Sequence, residues 1–302
     1  MRSFEFARKT GKQAENRRFL TIFASGQCLR LCYTGHMKKK IIVLAVLVLA
    51  AALIFWFFFP LRSLIVMSVY SGQHSNESVL KQQGFSVDIP SGQGWSPFVM
   101  TYNADDFSAW SGIDADVSIM YNFGAFDVST RTSSFYDLDS DKYCAFYGAY
   151  VLRQNDGFFG FTDSGDVDRD AITQAVKYDY TQLVLAGFGC DNIVFDVDEF
   201  KQQPNVSYAG SDGWMRIDAS ITTNGVAHQY RESKTAYLQF GPPMKPVDED
   251  FAVTTLHGRL YIKYLEEYDC TVMLYVIAPN TDAVETCDKD ILSKTTVAKL
   301  EK

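Results

Sequence analysis

"RLYIKYLEEYDCTVMLYVIAP" occupies Arg259–Pro279 and decides the fold class. It is rich in aromatic and β-branched residues, and an acidic break interrupts it. It reads as two long antiparallel strands that turn near Glu267–Asp269. Downstream, a helix is predicted from about Thr281–Asp282, with Glu285 placed for a capping box. Its Val284, Cys287, Ile291 and Leu292 would face the sheet.

Working back from this pair, "WMRIDASITTNGVAHQYRES" (Trp214–Ser233) has the pattern of a hairpin, with Asn224-Gly225 as a type I′ turn. "AYLQF" (Ala236–Phe240) extends it or forms another strand, and Pro242, Pro243 and Pro246 mark a loop. "IVFDVDEF" (Ile193–Phe200) alternates as a strand. Before it lies the clearest helix, "DVDRDAITQAVKYDYTQLVLAGFG" (Asp166–Gly189). There Ile172, Val176, Tyr180 and Leu183 keep helical spacing. Asp166, Asp168 and Asp170 stand where the helix dipole favours negative charge. Four more strands are predicted, within "GFSVDIP" from Gly84, "PFVMTYNADD" from Pro97, "DADVSIMYNFGAF" from Asp114 and "YCAFYGAYVLRQ" from Tyr143. The order points to an α+β domain over 84–302, an antiparallel sheet with helices packed on one face.

A different kind of segment precedes the domain. From Ile41 to Phe59 there are nineteen residues without a charge. At ~1.5 Å per helical residue they reach about 28 Å, close to the ~30 Å hydrocarbon core of a bilayer. Lys38, Lys39 and Lys40 come before the run, and Arg62 is the only cation shortly after it. That asymmetry predicts a single transmembrane helix with its N-terminal side in the cytoplasm and the domain outside. The run exceeds the apolar core of a cleaved signal peptide, and Ala50-Ala51-Ala52 falls too early for a cleavage site. Residues 37–69 therefore read as an uncleaved signal anchor in the cell membrane, and 70–83 as a polar stalk. Met37 followed by three lysines is how such a protein normally begins. Residues 1–36 then read as a start assigned too early, or as a short cytoplasmic tail.

Charge divides at the same place. Residues 1–69 carry eleven Lys and Arg against two Asp and Glu; the rest carries seventeen against thirty-four. An exported part with net charge −17 disfavours nucleic acid, whose phosphates call for Lys and Arg. The membrane, through the one helix, is the partner the sequence indicates; a protein or cell-wall partner is left unnamed. Cys144, Cys190, Cys270 and Cys287 allow two disulfides or four buried thiols. Strand geometry argues only against pairing Cys270 with Cys287.

The succession of "GFSVDIPSGQGW", two strands, a mid-chain helix, a strand ending near Phe200, "GWMRIDASI", "CTVMLYVIAP" and a closing helix resembles the PsbP-like fold family, which includes many bacterial exported lipoproteins. The resemblance covers roughly residues 84–300. The chain departs from it in lacking a lipidated cysteine, and residues 123–160 read as an insertion. The resemblance implies an accessory or binding role rather than catalysis, and it carries over no site residues.

Residues able to do chemistry are few. His74, His228 and His257 are the only histidines after the run, in a stalk, a hairpin strand and a loop. No metalloprotease or serine-hydrolase motif occurs. Asp137, Asp139 and Asp141 alternate as at the start of a calcium loop. Positions 6 and 12 of that loop, normally Gly and Glu, are here Lys142 and Gly148. A solvated acidic turn competes with the calcium reading, and no other cofactor is indicated. Asp196 and Asp198 share a strand face. Tyr143, Phe146, Tyr147, Tyr150, Phe158, Phe159 and Phe161 supply core and, where exposed, an aromatic binding surface. The expected function is noncatalytic binding or assembly at the cell surface. An exported hydrolase using Asp carboxylates is the alternative.

Overall fold

The computed structural model describes residues 35–57, 59–92, 99–122, 138–186, 190–226 and 251–300. The chain divides into two units, Met1–Ala52 and Leu53–Lys302. Helix α1 (Gly35–Phe57) accounts for the described part of the first unit. Its aliphatic side chains are exposed; Ile42, Leu44 and Leu49 each show about three-fifths of their surface. Among the described residues no helix is long and apolar enough to cross a membrane. The uncharged part of α1 within them is Ile41–Phe57, short of the run's end at Phe59.

The second unit continues with α2 (Phe59–His74), α3 (Val79–Gln83), β1 (Phe85–Asp88), β2 (Val99–Asn103), α4 (Phe107–Ser111) and β3 (Ala115–Asn122). Then come β4 (Phe146–Gln154), α5 (Arg169–Tyr178) and a π-helix (Asp179–Leu185). The hairpin β5 (Phe195–Tyr208) and β6 (Ser211–Asn224) precedes β7 (Val253–Leu265) and β8 (Cys270–Ala278). The chain closes with α6 (Thr281–Asp290) and β9 (Thr296–Lys299). Seven strands form one antiparallel sheet in the order β2-β3-β4-β8-β7-β6-β5, and β1 pairs with β9 in a small second sheet. The α+β class and the antiparallel sheet agree with the sequence reading.

The helices, however, lie on both faces of the sheet rather than one. β8 is the reason: each of its nine residues is buried. A strand covered on both faces is apolar throughout, not alternately. On one face Val272, Leu274 and Val276 join Ala149, Val151 and Tyr261 against Val284 and Cys287 of α6, Val79 of α3 and Phe85 of β1. On the other, Met273 and Tyr275 join Tyr150, Leu152 and Ile262 against Ile172, Ala175 and Tyr178 of α5 and Phe107 of α4.

Four local expectations change. The tight hairpin turn is Ala209-Gly210, both with positive φ (47° and 73°), which joins β5 to β6. Asn224 instead pairs with Val253, its side chain accepting from Val194 N (2.6 Å) and donating to Phe251 O (3.1 Å). The expected second arm beyond Val226 lies outside the described residues. Residues 146–154, within the expected insertion, form the strand between β3 and β8. Asn280, not Glu285, caps α6 by accepting from Ala283 N at 2.8 Å. Finally, residues 70–83 are attached: Thr101 N of β2 donates to Ser71 Oγ (2.9 Å), and Val79 and Leu80 are buried. The four cysteines of the domain are buried, free thiols.

Candidate functional site

A hollow opens on the α5 face of the sheet, and small residues make it. Ala219 of β6 lies opposite Gly258 of β7, which lies opposite Ile277 of β8. A methyl group at Gly258 would meet nothing closer than 3.8 Å. Phe195, Val197 and Phe200 of β5 form one wall, and Ile172, Thr173 and Val176 of α5 the other. The cleft has a cavity volume of about 60 Å³, and its exposed lining is almost wholly apolar. An apolar lining with a few polar groups is the character of a small-molecule site. At the rim, Arg169 lies over the Phe200 ring at 5.2 Å and donates to Val197 O at 3.3 Å. The Arg259 side chain is committed on the opposite face of the sheet, to Asp218 and Asp288.

The inner end of the cleft holds its chemistry. At Tyr178–Thr181 the helix is buried on four consecutive residues, which at about 100° per residue covers most of its circumference. Tyr178 turns to Phe107 and Trp110, where its hydroxyl meets Asp106. Tyr180 turns to Phe146 and donates to Asn224 O at 3.1 Å. Between them Asp179 points at the sheet, 1 % exposed, and Oδ2 accepts from the Tyr150 hydroxyl at 2.6 Å. Here α5 passes into the π-helix, whose wider turn is frequent at functional sites. Ala186 N closes it by donating to Thr181 O.

Two buried polar atoms at this end have no well-aligned hydrogen-bond partner among the described residues: Asp179 Oδ1 and the Tyr275 hydroxyl, the latter close enough to the Tyr150 hydroxyl to interact with it. Tyr275 stacks on Tyr150 with ring centroids 4.6 Å apart, so Tyr150 touches both. Burial raises the Asp179 carboxyl well above the usual carboxylate range, and burial likewise raises both tyrosine hydroxyls. Burial therefore favours the uncharged forms of these hydroxyl and carboxyl groups. A carboxylic acid kept neutral can donate a hydrogen bond where a carboxylate can only accept.

A second buried polar cluster lies on the opposite face. Asp288 of α6 accepts from Tyr208 (2.5 Å), Tyr261 (2.8 Å) and Arg259 (2.9 Å). Tyr208 and Tyr261 stack at 3.5 Å, and Arg259 also bonds Asp218 at 2.7 Å. Both carboxylate oxygens are engaged, so the cluster fastens α6 to β5, β6 and β7 and offers no open position.

The residues singled out from sequence are not gathered. Asp139 and Asp141 lie in a turn, where Lys142 pairs with Asp141 at 3.5 Å; Asp137 lies outside the described residues. Among the described residues no group of three His, Cys, Asp or Glu is placed to hold a metal ion. Asp196 and Asp198 are exposed on β5, and Asp198 accepts from Thr222 at 2.6 Å. His257 is in β7, opposite Ala278, rather than in a loop. His74 stacks on Tyr70 at 3.7 Å, and His228 lies outside the described residues. Of the seven aromatics expected in core or binding surface, only Phe158 is strongly exposed, edge-on to Tyr264. Sequence reasoning missed Asp179. It falls seven residues after Ile172 and three after Val176, on the apolar stripe of its helix, and an acid there was the available signal.

No family model, curated protein or solved structure matches the chain.

Proposed function

We propose that the chain is a single-pass membrane protein whose outward-facing domain binds a small apolar molecule in the cleft, without catalysis. The cleft carries the reading: a hollow with apolar walls and one buried carboxyl among its lining residues. A site for binding needs shape and a few placed polar groups. Acid–base chemistry would need in addition a group poised near neutral pH beside the reacting atoms. Nothing in the arrangement favours the hydrolase alternative, because Asp196 and Asp198 lie exposed on a strand.

Anchoring rests on the apolar run and the lysines before it. Ten large aliphatic residues between Ile41 and Ile54 are exposed on α1. Transfer of each into hydrocarbon is worth about 1.5–3 kcal/mol on full burial. The uncharged sequence continues past the described end of α1 to Phe59, which extends it to bilayer length. The test is protease added to spheroplasts that carry the chain with a C-terminal epitope tag. The tag should be lost without lysis while a small N-terminal fragment stays with the membrane. A tag cut only after lysis refutes the outward orientation, and a domain released into the medium shows a cleaved signal.

A further inference from the structure

The closed end of the cleft selects for more than apolarity. Asp179 Oδ1 and the Tyr275 hydroxyl are both buried, both residues line the cleft, and neither atom has a well-aligned hydrogen-bond partner among the described residues. Leaving such groups unpaired is costly, so their retention at one spot needs a reason. Tyr150 fixes them: its hydroxyl holds Asp179 Oδ2 and its ring supports Tyr275. What remains is the other carboxyl oxygen and a phenol hydroxyl that has only a poorly aligned contact with Tyr150, in a site lined by apolar side chains.

We infer that the cleft takes an uncharged, flat or chain-like apolar molecule bearing a carbonyl oxygen, with that oxygen received at its inner end by Asp179 and Tyr275. This deepens the binding reading above and rests on it. A carbonyl oxygen has two lone pairs and no proton, the complement of two donors lacking an acceptor. The Tyr275 hydroxyl is one donor. The other is the Asp179 carboxyl in its protonated form, which burial favours. An ammonium would require an ion pair in an apolar site, where desolvation offsets the attraction. Among the described residues the one cationic lining residue, Arg259, is committed to Asp218 and Asp288, so none of them offers an anionic ligand a counter-charge at the inner end. The apolar body of the molecule would lie along Ala219 and Gly258, where the sheet is hollow.

The test uses the full chain in lipid nanodiscs, with empty nanodiscs as the blank, and fluorine NMR line broadening. Three probes share one ring: 4′-fluoroacetophenone, 4-fluorotoluene and 4-fluorobenzylamine. The ketone should bind about tenfold more tightly than the hydrocarbon, the scale of one good hydrogen bond in an apolar site. Tyr275→Phe and, separately, Asp179→Leu should each erase most of that preference and leave hydrocarbon binding in place. Tyr275→Phe removes a single oxygen and keeps the packing, so it remains informative if Asp179→Leu fails to fold. Ala219→Phe, which fills the hollow, should abolish binding of all three. Equal affinity for ketone and hydrocarbon overturns the carbonyl inference and leaves the binding reading standing. Tightest binding of the amine overturns it in favour of an ionised Asp179. Binding of none, or binding that survives Ala219→Phe, overturns the cleft as a site altogether.

Discussion

Asp179 is a carboxyl buried at 1 % exposure with one oxygen lacking a partner among the described residues. A carboxyl raised above its ordinary value is more protonated in the folded than in the unfolded chain. Its contribution is therefore most favourable below the unfolded value of about 3.9, and is lost as pH rises toward the folded value. Asp179→Asn, neutral at all pH, should lack this loss. Urea unfolding of wild type and variant at several pH values should show the variant gaining on the wild type as pH rises from about 4 toward 8. A difference that does not change with pH contradicts a protonated Asp179. Tyr275→Phe should stabilise the protein by roughly 1–3 kcal/mol, since it deletes a buried hydroxyl without a well-aligned partner. A clear loss of stability would show that the hydroxyl is bonded in the native protein. The thiols behave oppositely to reactive cysteines: burial pushes Cys144 up to about 11 and Cys270 to about 12. At pH 8 the native domain should resist alkylation at these sites and react once unfolded, as intact mass would record. At this scale the sequence was partly legible. Asp168 at the helix start was legible, because its role is local. Asp179 was not, because its meaning depends on Tyr150, twenty-nine residues away.

Among the elements, α6 shows what a satisfied buried network does. Three donors from β5 and β7 meet on Asp288. Asp288→Ala would leave Arg259, Tyr208 and Tyr261 without that acceptor. Removing one partner of such a buried pair costs about 3–5 kcal/mol. With ~2–4 °C per kcal/mol for a domain of this size, the melting temperature should fall by roughly 6–20 °C. A fall of a degree or less in a calorimetric scan would mean that the cluster does not fasten α6. The apolar face of α6 and of the turn after it was legible, since Val284 and Cys287 within the helix and Ile291 and Leu292 just beyond it are all buried. β7 and β8 were legible for their length and for the acidic break between them. The continuous apolarity of β8 also encoded two-sided burial, but an antiparallel assignment suggested one covered face. Asn224-Gly225 misled because the same two residue types that suit a tight turn also suit a strand end held by a side-chain amide. The π-helix left no mark in the residue spacing.

For the whole molecule, what the sequence hid is long-range pairing. Phe85 of β1 lies opposite Lys299 of β9, so segments far apart in the chain close the small sheet together. No local pattern records that partnership, and β9 was not foreseen. Fold class was visible because alternation and acidic breaks repeat along the chain; strand order was not. The cleft belongs to the same category, since α5, β5, β6, β7 and β8 all contribute to it. Its proposed exposure to the outside of the cell joins the apolar run, the charge division and the site into one claim. Thr173 lines the cleft on α5 and is half-buried, while the native domain thiols are buried. Thr173→Cys, treated with a membrane-impermeant maleimide in intact spheroplasts, therefore reports on the cleft and its side of the membrane at once. With Cys28 and Cys32 of the N-terminal segment first replaced by Ser in both proteins, labelling of this variant as complete before lysis as after it, and absent from its parent, is the expected result. Labelling of the variant only after lysis, or not until the protein is unfolded, contradicts an open, outward-facing cleft.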